Sequence, residues 1–230
     1  MDTLRKEYFV PFKQKNFLTA NHKKTKRNHL KRMIDDKVYC MKVAKKYGKE
    51  YWDGNRRFGY GGYKYIEGRL DGIAKKIIKN YKLTNASKIL DMGCGKGYLL
   101  YEIKKILPKI QISGFDISKY AIKNSKKEIK KYLSIKDIKN KLKYKKKSFD
   151  LVMSLGLFHN LNLVEIEKSL KQINRIAKKS FIMVESYRNE KELFNLQCWA
   201  LTCESFFTPS EWKYIFKKNL YKGDFEFIYF

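Results

Sequence analysis

No window of the 230-residue sequence approaches 18 consecutive apolar residues, which excludes a membrane-spanning helix on length. Paired cysteines are missing as well: Cys40, Cys94, Cys198 and Cys203 show no C-x-x-C spacing, and the opening "MDTLRKEYFVPF" has no apolar signal-peptide core. Both features point to a reduced, cytoplasmic compartment. Arginine is scarce, supplying eight of the 52 basic residues. A formal charge of +29 would ordinarily indicate nucleic acid or an anionic surface. Specific phosphate and base contacts, however, favour arginine's bidentate fork. The lysines are also spread along most of the chain, beside abundant Ile, Asn and Tyr and only three prolines, as an AT-rich coding bias would produce. They read as solvated lysines rather than a polyanion site. The length suits one core plus an extension.

Residues 13–32, "KQKNFLTANHKKTKRNHLKR", carry eight basic residues and no acid, a block expected to stay mobile rather than pack. Leu30, Ile34, Val38 and Met41 then recur at helical spacing, predicting one helix from about Asn28 to Lys46 with this face apolar, ended by Gly48. Residues 51–69, "YWDGNRRFGYGGYKYIEGR", hold no period and read as an ordered loop. Helical spacing resumes over 70–81. Beyond that point strands and helices alternate. "KILDMGC", "ISGFDI", "SFDLVMSLG" and "SFIMVES" are buried-strand runs, and "SKYAIKNSKKEIKKYL" reads as a helix capped by Ser118. The alternation implies a doubly wound α/β fold: three layers, a mainly parallel sheet, and an N-terminal helical and loop extension over 1–69 preceding a domain over 70–230. Near the end, Thr208 or Ser210 with Pro209 and Glu211 opens a helix. An alternating strand closes the chain, Phe225, Phe227 and Tyr229 against Glu226 and Ile228.

In "ILDMGCGKGYLL", Gly93, Gly95 and Gly97 follow a strand directly. Glycine there permits positive φ and a close backbone approach to a ligand, and the next helix points its free N–H groups into the same space. Asp116 ends the following strand, where a carboxylate can accept bonds from ribose hydroxyls; capping the helix entered through Ser118 is its alternative role.

The stretch strongly resembles the first motif of class I S-adenosylmethionine-dependent methyltransferases, an acidic residue then G-x-G-x-G. "GFDIS", "SIKDIKNKLKYKKKSFD" and "FDLVMSLGLFHNL" resemble the family's second, third and fourth motifs, so the likeness runs from residue 88 to about 186. It implies a Rossmann-like fold with S-adenosylmethionine as cofactor. It also implies that Asp91, Gly93, Cys94, Gly95 and Gly97 line the methionine moiety, that Asp116 meets the ribose and that Ile117 flanks the adenine. Asp137 and Ile138 would meet the adenine's amino edge, and Ser154 and Leu155 would close the pocket from the fourth strand. Lys143 departs from a frequent proline, which implies a looser loop. A single strand after the last helix, where the family usually has an antiparallel pair, implies an absent or displaced seventh strand. "FGYGGYKY" and "LTCESFFTPSEW" resemble a subgroup linked to surface-polysaccharide gene clusters.

Methyl transfer to a hydroxyl needs alignment and a base. His159, in "LFHNL", is a candidate base, with packing of the cofactor pocket as its other reading. Glu185, Tyr187 and Arg188 stand at a strand's carboxyl end, facing the acceptor together with Gln197, Trp199 and Glu204. Phe194, Cys198 and Leu201 read as core. The 51–69 loop is a candidate lid that brings Tyr60, Tyr63, Tyr65 and Arg69 to the cofactor or acceptor. No metal site is expected. The favoured activity is O-methylation of a small polar molecule such as a sugar or phosphorylated precursor. RNA methylation is the alternative motivated by charge, although "SLGLFHN" holds no Asn/Asp-Pro-Pro-aromatic element for a flipped base. A cofactor-binding protein without chemistry is the third reading.

Overall fold

The computed structural model describes residues 13–23, 27–60 and 64–230. Six strands form one sheet: β1 (Lys88–Met92), β2 (Gln111–Asp116), β3 (Leu133–Ile135), β4 (Phe149–Leu155), β5 (Ala177–Glu185) and β6 (Asp224–Ile228). Their order is β3-β2-β1-β4-β5-β6, and every pairing is parallel. The helices before the sheet are α1 (Thr19–Lys23), α2 (His29–Ile34), α3 (Lys37–Ala44), α4 (Lys49–Asp53) and α5 (Asp71–Tyr81). Those between and after the strands are α6 (Tyr98–Ile106), α7 (Lys119–Lys123), α8 (Lys127–Lys130), α9 (Leu163–Ile176), α10 (Glu190–Trp199) and α11 (Pro209–Lys218).

The strands' period of two divides the core between two faces. Leu90, Met92 and Val152 pack with Ile166, Leu170 and Ile173 of α9 and Trp212 and Phe216 of α11. Ile89, Leu151 and Met153 pack with Ile73 and Ile77 of α5 and Leu100 and Ile103 of α6. The three-layer, doubly wound expectation therefore holds. Gly114 of β2 has no room for a side chain: a Cβ there would sit 2.8 Å from Leu100 Cδ1, 2.8 Å from Leu133 Cδ2 and 2.9 Å from Cys94 Sγ. Gly114→Ala is expected to cost roughly 1–3 kcal/mol by overpacking, seen as a lower midpoint in a thermal melt.

Several local expectations are corrected. The basic block from residue 13 packs, in its described part, because Phe17 is buried against Tyr81 and Phe181. Lys15 N donates to Phe225 O at 2.8 Å and Phe225 N to Lys13 O at 3.1 Å, so residues 13–15 cover the outer edge of β6. Among the described residues no antiparallel strand follows β6, and the chain's own N-terminal segment occupies that edge, which would otherwise present unpaired backbone groups. β6 does not alternate between core and solvent: Phe225, Glu226, Phe227 and Ile228 are all buried, because both faces and the edge are covered.

The single helix expected over 28–46 is two helices, broken where Asp36 takes φ 36° and caps α3 by accepting from Tyr39 N. Its expected apolar face points outward: Leu30, Ile34 and Val38 are exposed, whereas Cys40 and Ala44 are buried. The 51–69 segment begins inside α4 and includes a 3-10 turn over Arg56–Phe58. The helix after Ser118 divides into α7 and α8, although Ser118 caps it as expected, accepting from Ala121 N. Thr208 is the cap of α11, in a reciprocal pair with Glu211. The loop around Lys143 is held rather than loose. Gln172 bonds Leu142 N and Ile138 O, and the Arg175 guanidinium donates to the carbonyls of Leu142 and Tyr144.

Candidate active site

β1 ends in a turn whose first residue, Gly93, has φ 78°, and Gly93 N and Cys94 N both donate to Phe115 O at 2.8 and 3.0 Å. This ties the turn to the end of β2. There both Asp116 oxygens accept backbone bonds, Oδ2 from Gly95 N and Oδ1 from Ser118 N, each at 2.8 Å. Burial pushes the Asp116 carboxyl above its usual range, and these N–H bonds oppose the shift. Asp91 lies buried beneath the turn, and its Oδ1 has no hydrogen-bond partner among the described residues. Burial, then the neighbouring Asp116 charge, raises the Asp91 carboxyl to about 7. An unsatisfied buried carboxylate is costly unless a ligand completes it.

A cavity of about 870 Å³ opens beside this turn, toward the upper end of small-molecule sites. Of the residues expected to hold cofactor, Gly93, Asp116, Ile117, Asp137, Ile138, Leu155 and Arg69 line it. The others are placed elsewhere. A Cβ on Gly95 would strike the Trp52 ring at 2.7 Å, and one on Gly97 would meet Ile129 and Leu133 at 2.8 Å, so protein fills those two spaces. The Cys94 thiol is turned toward Gly114, and burial raises it well above the usual thiol range. Ser154 is fully buried, its hydroxyl donating to Met92 O at 3.0 Å. Tyr63 lies outside the described residues.

His159 and Glu185 also line the cavity. Glu185 N donates to His159 Nδ1 at 3.1 Å, which leaves the ring proton on Nε2, 3.5 Å from Glu185 Oε2. Burial holds the imidazole below its usual range against the opposing pull of Glu185, so the ring is neutral near pH 7. With Nδ1 accepting and Nε2 protonated, His159 itself has no vacant basic nitrogen, which corrects its reading as a direct base. Tyr187 is corrected too. β5 ends at Glu185, and Tyr187 turns away to pack with Leu196, Ala200 and Cys203. Trp199 and Glu204 reach the cavity, whereas Gln197 is exposed and Phe194, read as core, is half exposed.

The N-terminal segment supplies cavity residues that sequence reasoning missed, among them His22, Arg27, Lys45, Trp52 and Arg56. Trp52 Nε1 donates to Ser118 Oγ at 2.8 Å, and Lys96 Nζ reaches both Asp53 oxygens at 2.6 and 2.8 Å, fastening α4 over the glycine turn. Tyr60 joins this wall: its hydroxyl accepts from Leu201 N and Thr202 N. Tyr65 instead donates to Glu102, outside the main cavity. The signal for these residues lay at the far end of the chain. A glutamate inside an aromatic strand, "DFEFI", requires buried donors, and its donors are in this segment.

Residues 83–220 match the family described as "Methyltransferase domain". Two curated relatives are the human "Arginine-hydroxylase NDUFAF5, mitochondrial", 32% identical over 136 residues (58% of this chain, 36% of that protein), and "Uncharacterized protein RP028" of Rickettsia prowazekii (strain Madrid E), 33% identical over 127 residues (51% and 49%). The chain thus spans about a third to a half of these relatives' length. The expected cytoplasmic location is contradicted, because the human, mouse and rat relatives are all named as mitochondrial. Unpaired cysteines distinguish reducing from oxidising surroundings and do not identify which reducing compartment. Among solved structures, a SAM-dependent methyltransferase from Archaeoglobus fulgidus superposes with TM-score 0.54 at 20% identity (74% of this chain, 71% of that one). The Bacillus subtilis YcgJ protein gives 0.51 at 16% (64% and 66%). These likenesses concern the fold. With the family match covering more than half of the chain, and with the glycine turn and its two aspartates in place, the chain belongs to the class I S-adenosylmethionine-dependent methyltransferases of Rossmann-like fold.

Proposed function

We propose that the chain transfers a methyl group from S-adenosylmethionine to a hydroxyl oxygen of a small polar molecule, such as a sugar or a phosphorylated precursor. The observation that carries this reading is the placement of Glu185 and neutral His159 on the wall of the same cavity that Gly93 and Asp116 line. In this reading Asp116 accepts from the ribose hydroxyls, and Ile117 and Ile138 flank the adenine beside Asp137. Gly93 holds the methionine end from the cavity wall, and Asp91, buried below the turn and outside the cavity lining, keeps an unpartnered oxygen that an ammonium group reaching past Gly93 would satisfy.

S-adenosylmethionine supplies a methyl carbon already activated by a positive sulfur. The Glu185 carboxylate would take the proton of the acceptor hydroxyl, leaving the acceptor oxygen as the nucleophile. When bound, the cofactor would supply the methyl group and keep the carbon–sulfur electron pair on its sulfur. His159 orients Glu185 through Nε2–H and through the backbone bond that fixes its ring. The α4 wall keeps water from the site. Arginine hydroxylation, named for the human relative, is not carried across, since the match covers 36% of that protein.

The test is incubation with labelled methyl donor and a small-molecule extract. Label in a small metabolite supports the proposal, label in RNA or protein overturns it, and cofactor binding without transfer supports the non-catalytic reading instead. Glu185→Gln is expected to lower kcat by roughly 10²–10⁴, the range for general-base loss, with S-adenosylhomocysteine affinity within about threefold of wild type; an unchanged kcat removes Glu185 as the base.

A pH dependence follows from Asp91. With its carboxyl at about 7 in the free protein, Asp91 is protonated below that pH, and an ammonium group favours the ionised form. Affinity for S-adenosylhomocysteine should therefore rise between pH 5 and 7 and then level off. Titration calorimetry of Asp91→Asn should show weaker and pH-flat binding over the same interval.

A further inference from the structure

α4 is a five-residue helix set on the glycine turn, and its last two residues make the contact. Asp53 pairs with Lys96, the residue between Gly95 and Gly97, at 2.6 and 2.8 Å, and the Tyr120 hydroxyl donates to the same carboxylate at 3.0 Å. Trp52 lays its ring against Gly95 and donates from Nε1 to Ser118 Oγ at 2.8 Å and to Tyr47 O at 3.1 Å. Ser118 Oγ itself donates to Tyr47 O at 2.6 Å. Tyr47, Tyr51 and Trp52 line the cavity together with Gly93 and Asp116.

The fastening is of a kind that can be undone. The Lys96 side chain is 5% exposed and that of Asp53 24%, so the ammonium depends on its carboxylate while α4 stays in place. Once α4 lifts, both ions return to water, where such a pair contributes little. The backbone at either end permits the movement. Tyr47 holds φ 47°, Gly48 and Gly54 cap the two ends of α4, and a Cβ on Gly48 would meet nothing within 4 Å. The flanking segments are anchored elsewhere, through Lys37 Nζ to Cys198 O at 2.7 Å and through Arg32 to the carbonyls of Arg56 and Gly59. Between them Tyr51 is buried with Cys40, Ala44 and Leu201. The attachment points of α4 also belong to the cofactor site. Asp116 receives Gly95 N on one oxygen and Ser118 N on the other, so one carboxylate orders both the glycine against Trp52 and the serine that receives its indole N–H.

We propose that α4 is a latch on the cofactor: it lifts about Tyr51, flexing at Gly48 and Gly54, to admit and release S-adenosylmethionine or S-adenosylhomocysteine, and the Lys96–Asp53 pair with the Trp52–Ser118 bond holds it shut. A ligand on Asp116 steadies both attachment points, so the loaded site closes more firmly than the empty one, and closure retains the ligand in return. That coupling rests on the ribose assignment above. The latch itself rests only on the cofactor being held beside Gly93.

The test measures entry and exit of labelled S-adenosylmethionine on the full chain by rapid filtration, exit being chased with unlabelled S-adenosylhomocysteine. A gate governs both directions, whereas an ordinary contact governs exit alone. Asp53→Asn, which keeps the shape of the side chain, should speed exit about tenfold and entry about threefold, the difference being the coupling to ligand. Trp52→Phe, which keeps a ring on Gly95 and removes the indole N–H, should act in the same direction. Gly48→Ala, at an open position with φ −88°, stiffens the hinge and should slow both directions about twofold. Faster exit with unchanged entry in Asp53→Asn and Trp52→Phe overturns the latch and leaves α4 as a binding contact, and wild-type rates in both variants overturn it as well. Equal acceleration of entry and exit sustains the latch and removes its coupling through Asp116. Wild-type rates in Gly48→Ala overturn Gly48 as the hinge.

Discussion

Asp116→Ala should weaken S-adenosylhomocysteine binding about 100-fold, or ~2.8 kcal/mol at ~1.4 kcal/mol per factor of ten. Two effects combine. The bonds proposed from the ribose hydroxyls are to a charged acceptor, each contributing about 1.5–3 kcal/mol. The same carboxylate also receives Gly95 N and Ser118 N, so its loss leaves two turn amides without their acceptor. Asp116→Asn separates the effects. It keeps one oxygen for a turn amide but presents an NH₂ where the other amide or a hydroxyl must donate. Calorimetry should place Asn between wild type and Ala, and a thermal melt without ligand should show how much of the Ala effect is a loosened turn. Wild-type affinity in both variants would refute the ribose assignment.

The sheet was legible because parallel strands buried on both faces read as apolar runs, and because Ser118, Thr208 and Glu211 mark helix starts by local chemistry. The G-x-G-x-G turn was legible for a related reason: a backbone at φ 78° restricts residue choice to glycine. That pattern could not show which glycine faces the cavity. Gly95 and Gly97 yield their space to Trp52 and to Ile129 with Leu133, partners distant in sequence.

The N-terminal half of the site was illegible for the same physical reason. Leu30, Ile34 and Val38 match a helical face yet remain exposed, because the packing partners of α2 and α3 engage Cys40, Ala44 and the arginines instead. Periodicity reports which residues share a face and is silent on what that face meets. Glu185 and Tyr187 are two residues apart, but the strand ends between them, and beyond that point alternation no longer fixes direction.

Glu226 shows how the distant segment is held, and its loss should produce the largest change in stability. Its carboxylate is fully buried in β6. It accepts from Phe17 N at 2.8 Å, Leu18 N at 2.9 Å, and Thr19 N and Oγ1 at 2.7 Å each. No lysine or arginine is paired with it among the described residues, so backbone amides and one hydroxyl carry its stabilisation. In Glu226→Gln one oxygen remains, while the new NH₂ confronts donors it cannot satisfy. Leaving buried donors unpaired costs ~1–3 kcal/mol each, so a loss of about 3 kcal/mol is expected, or roughly 6–12 °C in melting temperature for a chain of this size. The consequence extends to the site. The segment that Glu226 anchors carries Leu18, His22 and Arg27 to the cavity wall, so Glu226→Gln should also become cleavable between residues 13 and 23 in limited proteolysis at temperatures where wild type resists. A wild-type melting curve together with wild-type protease resistance would show that the segment is held by Phe17 and the β6 edge alone.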